Sequence, residues 1–162
     1  MGFCMRSGLI GLTLLLPLAA CAQLPETCPY TSETDSAVSA GCFYVKDDKL
    51  LVVQSWTGAL SLPGGLVRRG ESAQCAAYRE TWEETGLLLK PGERIDGFKD
   101  SFFLYRCQRS GAETKVDPSD GLEVRRALFI SPQEFQDFTW RFPGDTALTQ
   151  HLLLDAIASG ER

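Results

Sequence analysis

The sequence predicts an α/β sandwich in which helices flank a mixed β-sheet. β-rich runs alternate with helical segments along the chain, which is the order of elements expected for this class. The 162 residues are enough for one domain, and 44% of them are hydrophobic, enough for one packed core. The 16 Lys and Arg residues are outnumbered by 21 Asp and Glu residues, so the net charge of −5 argues against nucleic-acid binding.

The N-terminal 20 residues are typical of a secretory signal peptide. One cation, Arg6, precedes an apolar run of 12 residues at positions 9–20. A transmembrane helix needs roughly 20 apolar residues, so this run is too short to span a bilayer. Residues 18–21, Leu-Ala-Ala-Cys, resemble the lipobox of bacterial lipoproteins, which implies cleavage before Cys21 and acylation of its thiol. An ordinary signal peptide and an uncleaved anchor are the alternatives.

The lipobox resemblance implies a protein anchored through Cys21 in the bacterial cell envelope. Residue 22 is Ala and not Asp, which by the same resemblance implies transfer to the outer membrane, with the domain facing the periplasm. Several acyl chains on one cysteine give the stable anchoring that a single chain does not. Residues 21–36 are polar and contain two prolines, so they are expected to form a tether that leaves 37–162 as the folded domain.

The folded domain is expected to begin with a β-hairpin. Residues 40–46 and 49–56 are rich in β-branched, aromatic and other apolar side chains, and two aspartates separate them. The Pro-Gly-Gly sequence at 63–65 predicts a turn, because proline and glycine both favour turn conformations.

A helix is expected next, from about Ser72 to Thr85, and Gly86 is placed to end it. Two strands and two helices then complete the order, at residues 98–108, 123–130, 131–138 and 145–158. The first of these helices starts with Ser-Pro, which places a capping residue before a proline at the first helical position.

Four cysteines follow the lipobox: Cys28, Cys42, Cys75 and Cys107. Their number is even and the chain is directed to an oxidising compartment, so at least one disulfide is expected. Three pairings are open, and Cys75 also fits the role of a small buried hydrophobe in an alanine-rich helix.

Glu80, Glu83 and Glu84 are spaced i, i+3, i+4 in the expected helix, so all three lie on one face. Like charges at this spacing destabilise a helix, and a bound cation would offset the repulsion. Carboxylates without a neighbouring His or Cys favour Mg²⁺ or Mn²⁺ over zinc. A solvated acidic helix face is the alternative.

The three glutamates belong to a longer pattern that runs from Gly65 to Leu87. The pattern resembles the Nudix box, Gly-x5-Glu-x7-Arg-Glu-U-x-Glu-Glu-x-Gly-U, in which U is a bulky apolar residue. Every charged and glycine position matches, and Thr81 at the first U is a soft departure. The resemblance covers about residues 37–160 and implies a Nudix-like α/β/α sandwich with a catalytic loop-helix-loop. The matching residues are Gly65, Glu71, Arg79, Glu80, Glu83, Glu84, Gly86 and Leu87.

The resemblance also implies roles for these side chains. Glu80, Glu83 and Glu84 would hold one to three Mg²⁺ or Mn²⁺ ions. Arg79 would pair with a carboxylate such as Glu71 and so fix the loop against the helix.

Substrate binding is implied for the segment before the helix. Gly64 and Gly65 would let the backbone turn and approach the phosphates, and Arg68 and Arg69 are placed to reach them. The general base is either a box glutamate or an acidic residue further along the chain. Glu123 is the candidate among the later residues, and Asp120 is its rival.

The implied function is hydrolysis of the pyrophosphate linkage of a small diphosphate compound. Nucleotide sugars, ADP-ribose and isoprenoid or lipid diphosphates all remain open as substrates. A catalytically silent Nudix-fold binding module is the alternative, and a cytoplasmic enzyme with a misassigned start is a third reading. We expect Trp56 and Phe102 to pack in the core rather than stack on a base, and we assign His151 no role.

Overall fold

The computed structural model describes Cys28, Tyr30, residues 37–95, Phe98, residues 101–110, Val116 and residues 123–160. The expected signal peptide, the lipidation site Cys21, most of the tether and the rival base Asp120 lie outside the described residues. Within the described ranges, no helix has the length and apolar character needed to cross a membrane.

The described chain forms eight strands, two α-helices and two short 3₁₀ helices. The strands are β1 (Ser39–Phe43), β2 (Val45–Lys46), β3 (Lys49–Ser55), β4 (Leu60–Ser61), β5 (Gly64–Leu66), β6 (Leu89–Ile95), β7 (Phe102–Arg109) and β8 (Val124–Ile130). The helices are α1 (Ala73–Thr85) and α2 (Thr146–Ala158), and the 3₁₀ helices span Pro132–Asp137 and Pro143–Asp145.

The strands form two four-stranded sheets. The first has the order β5-β1-β7-β6, in which β1 and β7 are parallel and the other pairs are antiparallel. In the second, β3 pairs antiparallel with β2, β4 and β8. The mixed pairing and the flanking helices confirm the predicted α/β class, although the strands divide between two sheets.

Two hydrophobic cores lie on opposite sides of the strands, because successive strand residues point to opposite faces. One core packs against α1 through Ala73, Ala76 and Ala77, with strand residues that include Ala40, Cys42, Leu51, Leu89 and Tyr105. The other packs against α2 through Leu153 and Ala156, with Phe43, Val45, Leu50, Val52, Leu104 and Ile130. The chain therefore has helix, sheet and helix layers.

The predicted hairpin is correct only in its second half. The run at 40–46 is broken at Tyr44, so that β1 joins one sheet and β2 the other. The tight connection from β2 to β3 uses Asp47 and Asp48, both with positive φ (50° and 59°), as two-residue hairpin turns require.

The predicted turn at 63–65 is wrong for its two glycines, which begin the edge strand β5. Gly64 pairs with Gly41 of β1. A Cβ on Gly64 would come within 2.5 Å of the Gly41 Cα, so both residues must be small for the strands to approach.

Strand β6 was not predicted, because Pro91 and Gly92 within it are typical of loops. Pro91 is tolerated because β6 lies at an edge of its sheet and pairs with β7 across a register shift between Pro91 and Arg94. The helices agree with prediction to within one or two residues, and the helix expected at 131–138 is a 3₁₀ helix.

Both pairs of cysteines are bonded, which confirms the expected disulfide and selects one of the three pairings. Cys42 of β1 is joined to Cys107 of β7, and Cys28 is joined to Cys75 of α1. Cys75 is therefore a cross-link and not a free buried thiol.

Candidate active site

Helix α1 carries the acidic face, and its ends are set by local capping. The Ser72 hydroxyl accepts a hydrogen bond from the Cys75 N–H at 3.2 Å. Gly86 adopts the left-handed conformation, with φ of 72°, and its N–H donates to the Trp82 carbonyl at 2.8 Å. The predicted helix start and end are both confirmed.

Arg79 organises the loop and the helix around one buried guanidinium. Its Nε and Nη2 donate to the two carboxylate oxygens of Glu71, at 2.8 and 2.9 Å. Its Nη1 donates to Glu80 at 2.6 Å and to Glu83 at 3.1 Å, and Nη2 also donates to the Leu66 carbonyl at 3.1 Å. All five N–H groups are therefore used, and the pairing with Glu71 is as predicted.

The pKa values in this network follow from burial and from these bonds. Burial opposes the charge on Arg79, but hydrogen bonds from its guanidinium to Glu71 and Glu80 outweigh it and raise the pKa of Arg79. Burial alone would raise the pKa of Glu71 as well, yet bonds from Arg79 and from the Arg68 N–H lower it. This ion pair is consequently formed throughout the neutral range.

The two glycines of β5 contact the acidic face directly. The Gly64 N–H donates to Glu84 Oε2 at 2.8 Å. A Cβ on Gly65 would lie 2.5 Å from Glu80 Cδ, so the missing side chain makes room for that carboxylate. In this structure Gly64 binds the Glu84 carboxylate and Gly65 leaves room for the Glu80 carboxylate, a role that the sequence did not predict.

Glu84 has the most altered proton affinity among the three glutamates. Burial, followed by the charges of Glu80 and Glu123, raises the pKa of Glu84 to about 8, against the opposing effects of the Gly64 N–H and Arg141. Burial also raises the pKa of Glu80 in spite of the hydrogen bond from Arg79. These are the carboxylates whose charge a bound cation would stabilise.

The acidic face opens into a cavity of about 660 Å³. Among the described residues, five carboxylates line it, namely Glu80, Glu83, Glu84, Glu123 and Asp145. Apolar and aromatic side chains also line it, among them Leu60, Leu62, Phe98, Phe102, Trp140 and Phe142. The cavity thus combines several carboxylates with apolar surface.

The carboxylates suit a hard divalent cation, although they are not arranged as a finished metal site. Over the described ranges, no group of three His, Cys, Asp or Glu side chains is positioned to hold a metal ion. In this structure Arg79 donates hydrogen bonds to Glu80 and Glu83, and the Gly64 N–H donates one to Glu84. The donors are all carboxylate oxygens on one cavity, which matches the preference of Mg²⁺ or Mn²⁺.

The structure divides the other predicted site residues into two groups. Glu123 is exposed and lines the cavity, as does Arg68, whose Nη2 lies 3.5 Å from Glu83 Oε1. Arg69 is exposed and is not among the residues that line the cavity. Phe102 lines the cavity and also packs against the α2 core.

Two further expectations concern residues away from the cavity lining. Trp56 is 63% exposed, so the expectation that it packs in the core is wrong. It follows β3 in a turn rather than lying in the strand itself. His151 is on α2 with its Nδ1 3.3 Å from an Asp155 carboxylate oxygen, and both side chains are exposed.

Sequence reasoning missed the cavity residues that lie between the 3₁₀ helix at 132–137 and α2. Trp140, Arg141, Phe142 and Asp145 line the cavity although they are 56 or more residues from Glu84. No spacing pattern marks this segment, because it is irregular and is placed by a contact with β4.

The fold and this acidic loop-helix-loop together define the class of protein. The NUDIX domain family model matches residues 35–151. The chain therefore belongs to the Nudix family.

Three relatives differ in how much of their length they share with this chain. A MutT-like protein of Streptomyces ambofaciens is 31% identical over 104 residues, which is 60% of this chain and 65% of that protein. Nudix hydrolase 6 of Arabidopsis thaliana is 29% identical over 136 residues, 74% of this chain and 47% of that protein. An ADP-ribose pyrophosphatase of Methanocaldococcus jannaschii is 40% identical over 58 residues, 33% and 34% of the two chains. This chain spans less than two thirds of the length of each relative.

Solved structures support the fold. An ADP-ribose pyrophosphatase of Streptococcus suis superposes with a TM-score of 0.60 at 21% identity, over 75% of this chain and 91% of that one. A UDP-X diphosphatase superposes with a TM-score of 0.57 at 18% identity, over 83% and 68%.

Proposed function

We propose that this chain is a metal-dependent pyrophosphohydrolase that cleaves the diphosphate linkage of a nucleoside diphosphate-linked or related compound. The observation that carries the proposal is the gathering of Glu80, Glu83, Glu84 and Glu123 along one cavity. Solved structures named as an ADP-ribose pyrophosphatase and a UDP-X diphosphatase support this substrate class. The retention of every charged position of the box argues against a catalytically silent module.

The residues of α1 would bind and orient the reacting groups. Bound Mg²⁺ or Mn²⁺ would polarise the phosphate oxygens and lower the pKa of a water molecule. Glu80, Glu83 and Glu84 are the residues that would hold the ions, and Arg79 fixes the rotamers of the first two. Glu71 offsets the charge of Arg79, so that the guanidinium positions the glutamates without repelling a cation strongly.

In the reaction, the oxygen of a water molecule forms a bond to one phosphorus of the diphosphate. The bond from that phosphorus to the bridging oxygen breaks, and the bridging oxygen leaves with the other phosphate. The proton from the water passes to a carboxylate. We propose Glu123 as this base, because it lines the cavity and is exposed, whereas Glu84 is buried and accepts the Gly64 N–H.

We also propose that the protein is anchored by a lipid on Cys21 and works in the periplasm, at the outer membrane. The Cys28–Cys75 and Cys42–Cys107 disulfides support an oxidising compartment. Cys28 is seven residues beyond Cys21, a span of at most about 25 Å when fully extended. The disulfide to Cys75 would therefore hold α1 close to the membrane surface.

The enzymatic proposal is tested with the full-length protein, purified in detergent with its disulfides intact. ADP-ribose, UDP-glucose and farnesyl diphosphate are incubated with Mg²⁺, with Mn²⁺ or with a chelator, and products are separated by chromatography. We expect metal-dependent release of two phosphate-bearing products from ADP-ribose or UDP-glucose, and loss of this activity in Glu83→Gln. Equal turnover by wild type and Glu83→Gln, or none by wild type with either metal, would refute the proposal.

The anchoring proposal is tested by metabolic labelling with a fatty-acid analogue. We expect wild type to be labelled and to fractionate with outer membranes, and Cys21→Ser to be unlabelled. Cys4→Ser is the matched control, because Cys4 precedes the expected cleavage site, so this variant should still be labelled. An unlabelled wild-type protein would refute the anchor.

A further inference from the structure

The cavity contains a set of side chains that the proposed hydrolysis does not use. Arg141, Phe142 and Asp145 line it together with the glutamates, yet none belongs to the Nudix box. They offer a guanidinium, an aromatic ring and a carboxylate within five consecutive residues. Such a combination is suited to recognising a substrate rather than to cleaving it.

Arg141 is close enough to the acidic region to act on the same ligand. Its side chain lines the same cavity as Glu84. Its side chain also lies over Phe142, with Cζ 5.4 Å from the ring centroid. Arg141 and Arg68 are the cations that line the described part of the cavity, and Arg68 already lies 3.5 Å from Glu83.

The backbone that carries Arg141 is held firmly. The Leu60 N–H donates to the Thr139 carbonyl, and the Arg141 N–H donates to the Leu60 carbonyl, both at 2.8 Å. Trp140 stacks on the buried Phe135 ring with centroids 4.9 Å apart, and its Nε1 donates to the Phe135 carbonyl at 3.1 Å. Because Leu60 begins β4, these hydrogen bonds fix the Arg141 backbone relative to β4. The chain continues from β4 to Gly64, whose N–H donates to Glu84.

The Phe142 ring lies beside the Arg141 guanidinium and is exposed. Its side chain is 54% exposed and lines the cavity, so the ring is accessible to a molecule bound there. An exposed ring beside a guanidinium offers a flat surface on which a planar group can stack.

Asp145 adds a hydrogen-bond acceptor to the cavity lining. It is the N-cap residue of α2, but its side chain makes no capping hydrogen bond, so its carboxylate is available to the cavity. A polyprenyl chain would remove water from this carboxylate and offer no donor in return, which is unfavourable. Ribose hydroxyls would supply donors.

We propose that the segment from Arg141 to Asp145 determines substrate specificity by reading a nucleoside diphosphate group. The Arg141 guanidinium binds the phosphoryl group, the Phe142 ring stacks on the base, and the Asp145 carboxylate accepts hydrogen bonds from the ribose. This inference rests on the proposed function, since it assumes that the glutamates engage the diphosphate of the same ligand.

Binding and turnover are measured separately, so that this inference and the proposed hydrolysis fail independently. Binding of the non-hydrolysable α,β-methylene analogue of ADP-ribose is measured by calorimetry in the presence of Mg²⁺, and hydrolysis of ADP-ribose by initial rates. Arg141→Gln removes the charge, and Phe142→Leu keeps apolar bulk while removing the flat ring. Arg125→Gln is the matched control, because Arg125 is exposed on β8 and is not among the cavity-lining residues.

We expect Arg141→Gln to weaken analogue binding and raise KM by about 10-fold or more, with kcat within about 3-fold of wild type. Phe142→Leu should weaken analogue binding about 5-fold and leave the calorimetric affinity for farnesyl diphosphate unchanged. Asp145→Ala should weaken binding of the analogue but not of farnesyl diphosphate.

The contrary results are equally specific. Analogue binding that is as tight in Arg141→Gln and Phe142→Leu as in Arg125→Gln would overturn the inference, whether or not the protein hydrolyses ADP-ribose. Tighter binding of farnesyl diphosphate than of the analogue by wild type would also overturn it, in favour of an apolar substrate tail. If wild type does not hydrolyse ADP-ribose but binds the analogue in a way that depends on Arg141, only the proposed hydrolysis is contradicted.

Discussion

Glu84→Gln is expected to inactivate the protein while stabilising its metal-free form at alkaline pH. Glutamine keeps the size of the side chain and can still accept the Gly64 N–H, but it cannot ionise. In the folded protein burial raises the pKa of Glu84 to about 8, against a usual value of 4.5. Ionising the buried carboxyl therefore costs on the order of 5 kcal/mol of folding free energy.

The sign of the pH dependence follows from the raised pKa. The protonated carboxyl contributes its full stability below about pH 4.5, and this contribution is lost as the pH rises through about 8. A glutamine side chain at this position does not titrate, so Glu84→Gln would show no such loss. The variant should therefore match wild type near pH 5 and exceed it by several kcal/mol near pH 8.

The assay is urea unfolding of the metal-free protein between pH 5 and 8.5, followed by circular dichroism. Glu93→Gln is the control, because Glu93 is exposed on β6 and should leave the pH dependence unchanged. With Mg²⁺ present, hydrolysis by Glu84→Gln should fall by at least about 100-fold, equivalent to about 2.7 kcal/mol of transition-state stabilisation. Parallel pH curves for variant and wild type, or full activity in the variant, would refute this reasoning.

Three further predictions concern residues around the site. Thr81→Val should raise stability by about 1 kcal/mol in thermal melts, because the buried Thr81 hydroxyl has no hydrogen-bond partner in the described part of the chain. Thr85→Val should lower stability, because the Thr85 hydroxyl donates to the Thr81 carbonyl and accepts from the Leu87 N–H. The pair Cys42→Ala with Cys107→Ala should lose about 4 kcal/mol in urea unfolding, the loop-entropy value for a separation of 65 residues, and an unchanged midpoint would contradict it. Arg79→Lys should lower kcat at least about 10-fold and also the melting temperature, since an ammonium cannot make the five bonds of the guanidinium; retention of both would show that charge alone is enough.

Helix α1 could be predicted because its signals are local. Ser72 and Gly86 fix its ends, and the i, i+3, i+4 spacing places three glutamates on one face whatever lies around them. The pairing of Arg79 with Glu71 also spans only eight residues. Local sequence therefore determined this part of the site.

Two features could not be predicted because they depend on contacts between distant segments. A Gly-Gly pair is typical of a turn, but pairing with β1 makes Gly64 and Gly65 part of an edge strand. The Pro91-Gly92 pair resembles a loop, yet pairing with β7 makes it part of β6. In both cases tertiary pairing overrides the local preference for a turn.

Two groups of cavity-lining residues are connected through the short strand β4. On one side β4 leads directly to Gly64, whose N–H holds Glu84, and on the other Leu60 holds Thr139 and Arg141 by two backbone hydrogen bonds. Backbone bonds do not depend on side-chain identity, so the residues at 141–145 can change without moving the acidic face. Under the proposal that residues 141–145 recognise the substrate, the fold permits the recognised group to vary while the acidic face is retained, so the box identifies the family but not the compound.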